Sequence, residues 1–120
     1  MPHIVLNNII NLEDIATKFN PIIQKGKPLI RINDIFVNTQ KHLALVSAVT
    51  IDELHQEYFI EISTRESKTT IRLFTLTDPQ KTDAVRRSLV LVYEFIKKHY
   101  PSHKITKTNL QNFISHKLTV

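Results

Sequence analysis

An α+β fold is predicted for this chain, with helices on one face of a mixed sheet and an extra β-hairpin in the middle. Three observations predict it. Val, Ile and Thr are abundant and fall in short runs, which favours strands. One long stretch, from Ala84 to Ile96, keeps an apolar stripe at helical spacing. The order along the chain is β-α-β, then a β-rich insert, then β-α and a final β, which reads as two β-α-β units. At 120 residues, with no linker and no low-complexity segment, residues 1–120 form one domain.

The apolar run His3 to Ile10 predicts the first strand. Asn11 then caps a helix whose first turn holds Glu13 and Asp14, while Leu12, Ile15, Ala16 and Phe19 keep its spacing. Pro21 bends or restarts that helix, and Lys25-Gly26-Lys27-Pro28 stops it. Leu29 to Val37 is the second strand, with Ile30 and Ile32 on one face and Arg31 and Asn33 on the other. Leu43 to Ile51 is a third, very apolar strand, and Asp52 to Gln56 is a polar connection.

Tyr58 to Ile62 and Thr70 to Thr77 form a hairpin around Arg65 to Lys68. With Glu66 and Ser67 as its central residues, Glu61 lies opposite Arg72 as a cross-strand charge pair. Asp78 caps the strongest helix and Pro79 takes its first position. Val85, Leu89, Val92 and Ile96 line that helix, which ends at His99 and Tyr100 before Pro101. From His103 a short strand precedes a helical turn through Leu110, Phe113 and Ile114.

Composition narrows the chemistry. The absence of Cys excludes disulfides, thiolate catalysis and cysteine zinc sites. A single glycine, Gly26, argues against glycine-rich phosphate loops. His99 and His103 have ligand spacing but straddle Pro101, so no metal is expected. No signal-like start or long apolar span is visible, so a cytoplasmic protein away from membranes is expected. The formal charge is +5, and beyond Glu94 only cations occur: Lys97, Lys98, Lys104, Lys107 and Lys117. Such a segment attracts anions, although lysines near a helix C-terminus are also favourable for dipole reasons alone. Phe36, Tyr58, Phe59 and Phe74 can wall a cleft, but aromatics on strands mostly serve the core.

Pro2 is the residue with chemical potential. A small second residue normally allows the initiator Met to be trimmed, which would leave a free secondary amine leading into a buried strand. The ring restricts that amine more than an ordinary N-terminus is restricted. Burial and nearby cations would lower its basicity toward the working pH of a general base. Arg31 supplies such a cation if strand two lies beside strand one. Its planar fork also suits a carboxylate or a developing enolate.

Met1-Pro2-His3 before an apolar strand resembles the start of the tautomerase superfamily, closest to the 5-carboxymethyl-2-hydroxymuconate isomerase family. Asn20-Pro21, Pro28 to Arg31 and Glu94 to Tyr100 resemble further pieces of that pattern, together about half of the chain. The resemblance implies a repeated β-α-β fold assembled as a homotrimer. It implies an amino-terminal proline that moves a proton within an enolic 2-keto acid, cationic side chains on the substrate carboxylates, and no cofactor. It assigns Pro2 and Arg31 to catalysis. Where the family has an arginine near its second long helix, this chain reads Asp78-Pro79-Gln80-Lys81, so Lys81 is the nearest substrate-binding cation. Arg72 is the alternative, with Glu61 as its structural partner, and Phe36 is a candidate wall. The segment Asn38 to Lys68 is longer than the family pattern and adds the hairpin.

Two other readings stand beside this one. An inactive tautomerase-fold assembly or binding protein would account for the changed second cation site. A basic α+β domain binding nucleic acid would use the Lys-rich C-terminal region, but no aromatic-rich RNA-binding strand motif is visible. A small anionic carboxylate is therefore the expected partner, and nucleic acid is disfavoured.

Overall fold

The computed structural model describes residues 1–118, with side chains described as far as Ile114; Lys117 of the basic segment lies outside them. The elements are β1 (His3–Leu6), α1 (Leu12–Lys18), β2 (Ile22–Gln24), β3 (Leu29–Val37), β4 (Leu43–Ile51), β5 (His55–Arg65), β6 (Lys68–Leu73), α2 (Asp83–His99), β7 (Ile105–Thr108) and α3 (Gln111–Leu118). The class is α+β, as expected. The seven strands form one sheet in the order β2-β3-β4-β5-β6-β1-β7.

The sheet differs from the expected mixed one: every pairing among the described residues is antiparallel. The reason lies in the connections. Each link from β2 to β6 is a short turn, and short turns join only antiparallel neighbours. Helix α1 carries the chain from β1 to the far edge of the sheet at β2. The meander β2 to β6 then returns to pair with β1, and α2 leads on to β7 at its other side. Strand β2 was hidden from the sequence reading because it is three residues long and follows Pro21, where a bent helix was expected.

Alternation along the strands places the core. Ile30 and Ile32 of β3, Val46 of β4, Ile60 and Ile62 of β5, Ile71 and Leu73 of β6, and Ile4 and Leu6 of β1 are all buried on one face. They form a single cluster with Val85, Leu89, Val92 and Ile96, the expected stripe of α2. A register shift between Ile32 and Asp34 keeps Ile35 and Val37 packed on that same side. The β5–β6 turn is as read: Glu66 and Ser67 have φ of 52° and 64°, and Glu61 pairs with Arg72. Positive φ at both central residues matches the twist of the flanking strands.

The start of α2 is later than expected. Thr82 caps it, its side chain accepting from the Val85 N–H at 3.2 Å. Asp78 is not the cap because the loop after it is pinned to β5. Gln80 N–H donates to Gln56 Oε1 at 2.8 Å, and Gln56 Nε2 donates to the Gln80 carbonyl at 3.2 Å. At the other end of α2, the Tyr100 hydroxyl donates to Asp14 Oδ2 at 2.9 Å and accepts from the Asn11 N–H at 3.3 Å. That hydrogen bond, followed by the one from Lys18, holds the Asp14 carboxyl below its ordinary range.

Two outcomes follow from this packing. Leu89 is fully buried, so Leu89→Ala is expected to lower the urea unfolding free energy by about 2–5 kcal/mol. Because the Asp14 pKa is depressed in the folded chain, its stabilisation is present above the ordinary carboxylate value and is lost as pH falls through the lowered one. Tyr100→Phe removes the main cause. Acid unfolding followed by circular dichroism is then expected to begin at a higher pH than in the native chain, and the two to converge once Asp14 is protonated in both.

Candidate active site at the amino terminus

Pro2 is buried although it is the second residue. Its position follows from where β1 runs: between β6 and β7, with Ile4 opposite both Ile71 and Thr108. The segment joining β7 to α3 therefore passes beside the amino terminus. There Asn109 holds the backbone on both sides of the proline. Its Oδ1 accepts from the His3 N–H at 3.0 Å, and its Nδ2 donates to the Met1 carbonyl at 2.9 Å. Thr108 Oγ1 donates to the His3 carbonyl at 2.7 Å. Pro2 has no N–H to satisfy, so its burial leaves no backbone donor unpaired.

The Met1 carbonyl oxygen has a second partner, His3 Nδ1 at 2.9 Å. A carbonyl can only accept, so Nδ1 carries the proton in this contact. Two N–H donors thus converge on one oxygen bonded to the carbon that caps the Pro2 nitrogen.

A cleft of about 610 Å³ opens over this point, lined by Met1, Pro2, Lys81, Arg86, Asp83 and Asn109 together with the start of α3. The pinned loop before α2 places Lys81 here, and the first turn of α2 places Arg86. Each cation has an acidic neighbour: Lys81 pairs with Asp78, and Arg86 Nη1 lies 3.6 Å from Asp83 Oδ1. Asp78 and Asp83 are 70% and 87% exposed, so both pairs are solvent-screened and free to exchange for a ligand anion.

The structure brings together Pro2 and Lys81 from the sequence reading and separates the others. Arg31 is not the partner of Pro2. Strands β4, β5 and β6 lie between β3 and β1, a gap of roughly 19 Å at ~4.8 Å per strand. Phe36 is 54% exposed on β3, far from this cleft, and walls nothing there. Arg72 faces a different depression of about 470 Å³ with His42, Ser63 and Arg65. Its Nε donates to Glu61 Oε2 at 2.7 Å, and it covers that nearly buried carboxylate, the structural role expected of it.

Arg86, Asn109 and His3 were not singled out as site residues from sequence. Arg86 lies on the polar side of α2, which reads as a solvated face. Asn109 comes from a segment remote in sequence and reaches β1 only because β7 pairs with it. Among the described residues no group of three His, Cys, Asp or Glu side chains could hold a metal, and no helix is long and apolar enough to cross a membrane.

Comparison with protein-family models, curated proteins and solved structures found no match.

Asn109→Ala is expected to destabilise the chain by about 1–2 kcal/mol, since it frees the His3 N–H and leaves the Met1 carbonyl with His3 Nδ1 alone. Amide exchange measured by NMR should show loss of protection at His3 while the centre of α2 stays protected.

Proposed function

We propose that the chain is a cofactor-free tautomerase or isomerase that moves a proton within a small carboxylate-bearing enol or keto acid. The amine of Pro2, freed by removal of Met1, is the general base and then the general acid. The observation that carries this reading is the setting of Pro2: a buried residue that lines one cleft together with Lys81 and Arg86.

The chemistry divides among the lining residues. Lys81 and Arg86 hold the substrate carboxylate, exchanging their exposed acidic neighbours for it. The Pro2 nitrogen takes a proton from the enol hydroxyl or from the carbon next to the carbonyl and returns it at the other position. Asn109 Nδ2 and His3 Nδ1, which now meet the Met1 carbonyl, are aimed where a substrate carbonyl oxygen would sit after Met1 is gone. Donors placed there favour the enolate form as its charge develops. The cations and the partial burial disfavour protonated Pro2, bringing its basicity toward neutral pH.

The reading rests on the amino-terminal proline and its cleft, and not on the repeated β-α-β units that the resemblance also implies.

A second reading is a binding protein without catalysis. It is favoured by the acidic neighbour that each cation of the cleft already holds, Asp78 at Lys81 and Asp83 at Arg86.

Two measurements decide between them. Intact-mass analysis of protein from its native host is expected to show Met1 absent. Ketonisation of phenylenolpyruvate should then proceed with native protein and fall at least ~10²-fold in Pro2→Ala, the usual scale of a lost acid–base group. Lys81→Gln should mainly raise KM. Retained Met1, or equal rates for native protein and Pro2→Ala, would select the binding-protein reading.

A further inference from the structure

The face of the sheet turned away from the helices carries a second group of polar side chains, and the amino-terminal cleft uses none of them. A depression of about 470 Å³ is lined there by His42, Leu43, Glu61, Ser63, Arg65 and Arg72, a volume ordinary for a small-ligand site. Register explains the grouping. Glu61, Ser63 and Arg65 are alternate residues of β5 and share a face, with about 6.8 Å from each to the next. Ser63 lies between Leu43 of β4 and Thr70 of β6, and Arg72 of β6 lies opposite Glu61. Ser63 is thus the floor, with one arginine toward each end.

Two of these groups are held in place before any ligand arrives. Arg72 Nε donates to Glu61 Oε2 at 2.7 Å, and the Glu61 side chain is 8% exposed. A buried ion pair contributes little stability by itself. Here it sets the direction of the Arg72 fork and leaves Nη donors for a further acceptor. The turn that carries His42 is pinned on both sides. Its N–H donates to Asn38 Oδ1 at 3.1 Å, and its carbonyl accepts from the Thr64 N–H at 2.9 Å. Among the described residues no carboxylate forms an ion pair with Arg65.

We propose that this depression binds the terminal phosphate of a small phosphate monoester. Donors reach it from three sides: Arg72 Nη at one end, Arg65 at the other and the Ser63 hydroxyl from the floor, with a His42 ring N–H at the rim. A phosphate monoester presents three oxygens on a tetrahedron and can meet all three sides. A carboxylate presents two oxygens in one plane, and a phosphodiester within a nucleic-acid strand also has only two free ones. The charges match as well. Two arginines less one glutamate leave +1 on the lining side chains, against about −1.5 to −2 on a phosphate monoester at neutral pH. Recognition by side chains needs no glycine-rich loop, which this chain lacks. The depression is separate from the amino-terminal cleft, whose cations are Lys81 and Arg86.

Phenyl phosphate titrated into the ¹⁵N-labelled full chain at constant ionic strength tests this by NMR. Saturable shifts are expected at the Ser63 and Arg65 amides and at the Arg72 Nε–H. Benzoate, the same ring on a carboxylate, and a short thymidine oligonucleotide should each bind at least ~10-fold more weakly. Arg65→Gln should weaken phenyl phosphate binding at least ~10-fold, the scale of one lost charge-assisted hydrogen bond. Arg65 is exposed, so its circular dichroism should be unchanged. Arg72→Lys keeps a cation over Glu61 but loses the fork, and should weaken binding by a similar factor. An absence of saturable shifts, shifts centred on Lys81 and Arg86, benzoate or the oligonucleotide binding as tightly as phenyl phosphate, or an Arg65→Gln chain that binds like native would each overturn the assignment.

Discussion

The packing of α2 against the inner face of the sheet is the contact on which the rest of the molecule depends. Val85, Leu89, Val92 and Ile96 form one stripe, and they meet side chains from β1, β3, β4, β5 and β6. Those strands are also joined by their ladders and by α1, whose Leu12 and Ile15 lie in the same cluster. The small inward residues of β4 are part of the same contact, since Ala44 and Ala48 let a helix lie close over the centre of the sheet. Burial of apolar surface is the dominant favourable term in folding. Here nearly all of it falls on this one side.

The candidate site is a consequence of that packing. Once α2 is fixed across the sheet, its first turn projects Arg86 beside the start of β1, and the Gln56–Gln80 pair holds Lys81 next to it. The chain leaving α2 has to return along β1 as β7, and this brings Asn109 to both sides of Pro2. Three segments distant in sequence thus meet at the amino terminus, and none of them is positioned by a loop alone. A site held this way keeps its geometry because moving one member would disturb either the helix stripe or the β1–β7 ladder.

Much of the fold was legible because it is written in local patterns. The stripe of α2, the Asn11 cap and the Glu66-Ser67 turn with its Glu61–Arg72 pair each depend on residues within one short stretch of chain. What was not legible is which strands become neighbours. Nothing local distinguishes a helix that returns the chain to an adjacent parallel strand from α1, which carries it to the far edge. That one topological choice removed Arg31 from Pro2 and turned the expected mixed sheet into an antiparallel one. It also explains why Arg86 and Asn109 were passed over, since their role depends on β1 lying between β6 and β7. Lys81 was singled out through the resemblance, as the cation nearest the start of the second long helix.

The central claim is that the cleft makes the Pro2 nitrogen a base suited to neutral pH. The most direct measurement is a titration of that nitrogen by NMR in processed protein carrying ¹⁵N-labelled proline. An amine signal that titrates well below the range of a free proline amine is expected. A shift back toward that range is expected in the Lys81→Gln, Arg86→Gln double variant. A signal that titrates like free proline in both proteins, or an amide signal that does not titrate, would contradict it.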